Sequence, residues 1–111
     1  MEVPQLSDLD DLPVEVVDSE QARVISVTSR SNDGSVVTLT WDEVASSIHL
    51  RWTEADRERL VLERETISKV SVRDNHGQTE FWIWSSASDL GGQLVVRVSD
   101  QVSISDSLLR Q

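Results

Sequence analysis

The sequence contains no cysteine, no tyrosine, a single lysine, four glycines and two prolines. Without cysteine, disulfides, iron–sulfur clusters, thiolate zinc sites and cysteine nucleophiles are excluded. The glycines form neither a Gly-x-Gly-x-x-Gly nor a Walker A pattern, the two common loops that hold phosphate groups. No stretch approaches the roughly 20 apolar residues of a membrane span, and the N-terminus has no signal-peptide pattern. We therefore expect a soluble cytoplasmic protein, with no membrane association and no cofactor.

Negative charge is concentrated at the start of the chain. The net charge is −10, and residues 1–22 hold seven carboxylates and no Lys or Arg. The rest of the chain has 13 acidic and 10 basic residues, so it is nearly balanced. Such asymmetry concerns partners, solubility and steering rather than fold. The acidity is equally typical of a salt-adapted or compositionally biased proteome, which involves no specific partner.

The charge pattern divides the chain into an acidic, flexible N-terminal arm (residues 1–19) and a single antiparallel β domain (residues 20–111). Pro4 and Pro13 disfavour a helix in the arm. Two alternatives remain open for this segment, namely a partner-docking motif and an edge strand near residues 14–17. If the arm is flexible, deleting residues 1–19 will barely change the melting temperature.

The remaining sequence alternates between apolar and polar residues, the pattern of β-strands. Asp33-Gly34 predicts a hairpin turn, because both residues tolerate positive φ. Residues 59–73 are too many for one strand, so we expect a bulge or a break near residues 64–67. We predict an all-β fold with six or seven antiparallel strands, mostly in meander order, forming a bent sheet, a small barrel or a sandwich. The predicted strands cover residues 22–29, 35–41, 48–52, 59–73, 79–85, 93–99 and 102–109.

The polar residues show no catalytic or metal-binding pattern. His49 lies at an outward strand position and His76 in a turn, and neither has the spacing of a metal site. Glu63 and Glu65 share one strand face at about 6.6–6.8 Å, a separation that suits inverting glycoside hydrolysis. They flank Arg64 in a charged strand, however, which is typical of a solvated face. We expect a protein that is not an enzyme and binds no metal.

Tryptophan dominates the aromatic residues, with four Trp against one Phe. Trp41 and Trp52 lie on the apolar faces of predicted strands and are expected in the core. Trp82 and Trp84 share one face of the 79–85 strand, whose other face is also apolar. Core packing is the favoured interpretation of this pair, because tryptophan is costly to expose. If the pair is exposed instead, it forms a stacking platform or the anchor of a protein interface.

These patterns favour a non-catalytic protein that binds another protein, with a basic partner. The most concrete hypothesis is an acidic inhibitor or immunity-type protein that neutralises this partner. Nucleic acid is not expected as a ligand, because phosphate contacts need clustered Lys and Arg. The alternatives are a carbohydrate- or small-ligand-binding module that uses a tryptophan platform, and a structural subunit of a homodimer, another homo-oligomer or a larger assembly. The candidate partner-binding residues are Trp82, Trp84, Asp8, Asp10, Asp11, Glu15 and Asp18.

Overall fold

The computed structural model describes residues 1–19, 23–85 and 92–106. Within these ranges the chain forms one short helix and nine strands. Their bounds are α1 Leu6–Leu9, β1 Glu15–Asp18, β2 Val24–Arg30, β3 Ser35–Asp42, β4 Ser47–Glu54, β5 Arg57–Arg64, β6 Ile67–Asn75, β7 Gln78–Ser85, β8 Gln93–Val98 and β9 Val102–Asp106. In the described part of the chain no helix has the length and apolar character needed to cross a membrane.

The strands form two antiparallel sheets that pack face to face. The first sheet has the order β1-β2-β3-β4-β5 and the second has the order β6-β7-β8-β9. Within each sheet every strand pairs with its neighbours in sequence, so the predicted all-β meander is confirmed, in the form of a sandwich. The strand count is nine because residues 15–18 add a strand and the 59–73 segment divides in two. The predicted strand 102–109 is described as far as Asp106, and its last residues lie outside the described ranges.

The segment 59–73 breaks where the apolar pattern changes phase. Strand β5 ends at Arg64 and β6 begins at Ile67, with Thr66 at a positive φ of 59° between them. Ile67 is buried at the start of the second sheet, and its N–H donates to the carbonyl of Ser46 in the β3–β4 turn at 2.9 Å. The predicted break is confirmed, and it is the point at which the chain passes from the first sheet to the second.

The core lies between the inner faces of the two sheets. Along β3, burial alternates residue by residue, and the Leu39 side chain is fully buried opposite Leu50 of β4. Trp41 is also buried, as expected, whereas Trp52 is half-buried at the rim of the core, with the Arg59 guanidinium 5.6 Å from its ring centroid. The buried core residues are Leu9, Val27, Val37, Leu39, Trp41, Ile48, Leu50, Ile67, Val70, Phe81, Ile83, Leu94, Val96 and Val98.

Residues 1–19 lie against both sheets. The Glu2 N–H donates to the Ser68 carbonyl at 2.9 Å, and the Val70 N–H donates to the Glu2 carbonyl at 2.8 Å, so the chain start pairs with β6. Leu9 of α1 then enters the core with 2% of its surface exposed. Finally, β1 adds to the edge of the first sheet, beside β2. This arrangement matches the edge-strand alternative, and the segment does not extend away from the sheets as a free arm.

Replacing Leu39 with Ala should lower the free energy of unfolding by about 2–4 kcal/mol, because the cavity lies between the sheets and cannot collapse fully. Val96→Ala tests the facing sheet, where this side chain is also fully buried. Urea denaturation measures both. Val61→Ala is the control, since Val61 is 44% exposed, and it should change stability by less than about 0.5 kcal/mol. Equal stability of all three variants would contradict the assigned core.

Leu9→Ala should cost about 2–5 kcal/mol of unfolding free energy if the N-terminal segment packs as described. The matched control is Leu6→Ala in the same helix, because Leu6 is 46% exposed and Leu9 only 2%. Deleting residues 1–19 should lower the melting temperature, since the deletion removes both Leu9 and β1. Wild-type melting of Leu9→Ala and of the deletion variant would show that the segment is a free arm after all.

Candidate partner-binding surfaces

Trp82 and Trp84 lie on the outer face of the second sheet. Their neighbours along β7, Phe81 and Ile83, point between the sheets and are 0% and 2% exposed. Because side chains alternate along a strand, the two indoles must project to the other side, where both are half-buried. The favoured interpretation of the pair as core residues is therefore wrong, and the alternative of an accessible pair describes its position.

The two indoles form a stacked pair covered by basic side chains. Their ring centroids are 5.9 Å apart with an interplanar angle of 25°. The Arg73 guanidinium lies 4.6 Å from the centroid of Trp82 and 5.8 Å from that of Trp84. Lys69 Nζ lies 5.2 Å from the Trp84 ring, and the Arg97 guanidinium lies 5.8 Å from the Trp82 ring. Each distance permits a cation–π interaction. We call this surface, with Glu80, the tryptophan face.

Glu80 links two side chains of the tryptophan face through hydrogen bonds. Its carboxylate accepts a hydrogen bond from Trp82 Nε1 at 3.0 Å and another from Arg97 Nε at 3.1 Å. The indole hydrogen bond, and then the Arg97 guanidinium, keep the pKa of Glu80 below its ordinary value despite the opposing effect of desolvation. Glu80 is 5% exposed, so these bonds satisfy a buried charge and fix the orientation of both donors.

A second apolar layer lies beneath the indoles. Val95 of β8 is the cross-strand partner of Trp82 and is 5% exposed, although it belongs to the outer face. Burial on this side of the sheet requires cover from neighbouring outer side chains. The tryptophan face is thus a packed surface whose indoles are held in place by neighbouring side chains.

The acidic candidate residues lie in the N-terminal segment, between α1 and the end of β1. The Gln5 N–H donates to Asp8 Oδ2 at 3.2 Å, and Glu15 pairs with Arg30 at 3.3 Å between two exposed side chains. The other three carboxylates are exposed and form no ion pair with any described residue. We call this set the acidic edge; it comprises Asp8, Asp10, Asp11, Glu15 and Asp18.

The acidic edge and the tryptophan face lie on different elements of the fold but approach each other beside β6. Asp8 lines a depression of about 300 Å³ together with Lys69 and Ser71. In the register of the second sheet, Lys69 is the partner of Trp84, and Ser71 is the partner of Trp82. The structure therefore brings one end of the acidic edge to the border of the tryptophan face. Glu15 and Asp18 lie farther along, on the outermost strand of the first sheet.

The remaining polar candidates lie on solvated surface. His49 faces outward on β4 and pairs across the ladder with Glu63, at a depression of about 260 Å³. Glu63 and Glu65 are exposed, as expected, and His76 occupies the β6–β7 turn with a φ of 53°. Over residues 1–19, 23–85 and 92–106, no group of three or more His, Asp or Glu side chains is placed to hold a metal ion.

The basic residues of the tryptophan face were missed from the sequence, although a signal for them exists. Glu80 shares its strand face with Trp82 because the two are two positions apart. The β6–β7 hairpin then sets Arg73 opposite Glu80, and the next ladder sets Glu80 opposite Arg97. A hairpin turn at residues 75–78 therefore predicts the Arg73 guanidinium beside the pair, whereas the position of Arg97 also requires the register of β7 with β8.

Acid should weaken the fold through Glu80. Its pKa is lower in the folded state than in the unfolded chain, so the folded state binds the proton less readily. The stabilisation is complete above the ordinary value of 4.5 and is lost as the pH falls through the lower native value. Glu80→Gln should remove this part of the pH dependence, measured by urea unfolding at neutral pH and below 4.5. Glu63→Gln, an exposed control, should keep it; an unchanged acid profile for Glu80→Gln would contradict the role of Glu80.

No protein-family model and no curated protein matches the sequence. The fold is similar to that of a chain in the contact-dependent growth inhibition toxin–immunity protein complex from Klebsiella pneumoniae 342, with a TM-score of 0.76 and 16% sequence identity. The similarity covers 96% of this chain and 95% of that chain. At this identity the likeness is one of fold.

Proposed function

We propose that the protein binds and neutralises another protein, in the manner of an immunity protein, without catalysing a reaction. The observation that carries the proposal is the likeness to a chain of a toxin–immunity protein complex, which extends over 96% of this chain and 95% of that one. Two charged surfaces of this protein supply a physical basis for binding. A cytoplasmic location goes with the proposal, because a chain without cysteine needs no oxidising compartment.

The acidic edge would steer a basic partner. Asp10, Asp11 and Asp18 are exposed and form no ion pair with a described residue, so their charge acts outward. Charges of one sign raise the association rate with an oppositely charged surface and suppress wrong partners. This attraction is screened beyond about 10 Å at 0.1 M salt. A partner held in this way should therefore be basic and should bind less well as salt is raised.

The tryptophan face would supply short-range binding energy. Tryptophan and arginine are over-represented among residues that dominate binding energy at protein interfaces. Here Trp82 and Arg97 are both held by Glu80, so little side-chain freedom remains to be lost on binding. A carbohydrate platform is less favoured, because a sugar stacks on an open indole face. In this pair the rings stack on each other, and Arg73 lies against both.

Affinity capture from host lysate tests the proposal when two charge-matched variants are compared. The triple variant Asp10→Asn, Asp11→Asn, Asp18→Asn should weaken capture of a basic partner and flatten its salt dependence, because the steering charges are removed. The captured protein, expressed alone, should inhibit growth, and co-expression of the wild-type protein should restore it.

The control carries Asp56→Asn, Glu63→Gln and Glu65→Gln, which remove the same number of exposed charges from the β4–β5 turn and the end of β5. It should retain capture. Equal losses in both variants would mean that net charge alone is responsible. A partner that is harmless when expressed alone would overturn the neutralising role.

A further inference from the structure

Three basic residues in the described part of the chain form no ion pair with a described carboxylate, and two of them, Lys69 and Arg73, lie together on the tryptophan face; the third, Arg57, is on β5. Lys69 and Arg73 are exposed and form no ion pair with any carboxylate in the described ranges. Most other described cations do form one. Those with an ion pair are Arg23, Arg30, Arg51, Arg59, Arg64 and Arg97. Positive charge without an internal partner is thus concentrated beside the two indoles.

The guanidinium groups on either side of Trp82 retain unused hydrogen-bond donors. Arg73 Nε donates to Ser71 Oγ at 3.3 Å, and Arg97 Nε donates to Glu80 at 3.1 Å. A guanidinium carries five N–H donors, and the terminal nitrogens of these two have no hydrogen-bond partner among the described residues. Arg73 and Arg97 are therefore each fixed through Nε, while their terminal nitrogens remain available to bind a carboxylate.

We infer that the tryptophan face binds carboxylate side chains in an acidic segment of the partner protein. This inference rests on the proposed function and specifies which chemical groups of the partner the tryptophan face contacts. A guanidinium fork matches the two oxygens of a carboxylate. The adjacent indoles exclude water from one side of the contact, which strengthens a charged hydrogen bond. A long polyanion such as nucleic acid is a poor fit, since the net charge of −10 repels it.

Because Asp8 and Lys69 line one depression, the acidic edge and the tryptophan face would contact neighbouring regions of the partner. A basic region that meets the acidic edge must lie beside an acidic segment that meets the tryptophan face. Opposite charges placed side by side fix the orientation of docking, because a rotated partner would bring like charges together.

A synthetic Glu-rich decapeptide is the probe, and the indole Nε1–H signals of the full chain in ¹H–¹⁵N spectra are the readout. The peptide should shift the Trp82 and Trp84 signals, and its Gln-substituted counterpart should not. Arg73→Gln should weaken binding about tenfold, the equivalent of one lost charged hydrogen bond. Arg57→Gln is the control, because Arg57 is an exposed cation on β5 without an ion pair to a described residue; it should bind as the wild type does.

The inference is overturned if the acidic peptide leaves both indole signals unchanged at millimolar concentration, or if Arg57→Gln weakens binding as much as Arg73→Gln. Stronger binding of inorganic phosphate than of the peptide would overturn it in favour of a phosphate site. Indole shifts that appear on concentrating the protein alone would overturn it in favour of a second copy of this chain. Failure here with intact partner capture leaves the proposed function standing.

Discussion

Strand β7 is apolar on both faces, and only one of its faces can meet the opposite sheet. The side chains of a strand alternate, so burying Phe81 and Ile83 commits Trp82 and Trp84 to the outer surface. Exposing two indoles to water would leave a large apolar patch. Stacking the rings on each other and covering them with the aliphatic stems and charged ends of basic residues reduces that exposure. The cluster of basic residues beside the two indoles therefore follows from which face of β7 points outward.

The sign of the charge on the tryptophan face depends on a single buried carboxylate, that of Glu80. Across the second sheet the register sets Arg73, Glu80 and Arg97 in one row. Glu80 satisfies Arg97 through an ion pair and Trp82 through a hydrogen bond, which leaves Arg73 and Lys69 without an acidic partner among the described residues. The face thus stays positive on a protein whose net charge is −10. Two surfaces of opposite sign on one small sandwich are more selective for a partner than either surface alone.

Local patterns predicted the strands well, and long-range pairing decided the rest. The Asp33-Gly34 turn and the break at residues 64–67 follow from nearby residues, and both occur, with Gly34 at a φ of 89°. Alternation shows which side chains share a face but not which face is buried, so the position of the tryptophan pair could not be decided. Likewise, isolated apolar residues among carboxylates look disordered in sequence. The burial of Leu9 and the pairing of Glu2 with β6 depend on distant strands.

In the proposed function the two surfaces would act over different distances, which would order the steps of binding. Coulomb attraction by exposed charges extends about one Debye length, roughly 8 Å at physiological salt, so an approaching partner senses the charges of the surface nearest to it. The acidic edge, with three carboxylates that form no ion pair with a described residue, would then contribute most to the attraction of a basic partner, whereas Lys69 and Arg73 would act mainly at contact. At contact water is displaced, and a guanidinium stacked on an indole then interacts more strongly with a carboxylate than it does in bulk water.

A partner with only basic charge would be attracted to the acidic edge and repelled at the tryptophan face. A partner that carries an acidic segment beside its basic region satisfies both, and for this reason the tryptophan face is better suited to choosing among basic partners than to attracting them.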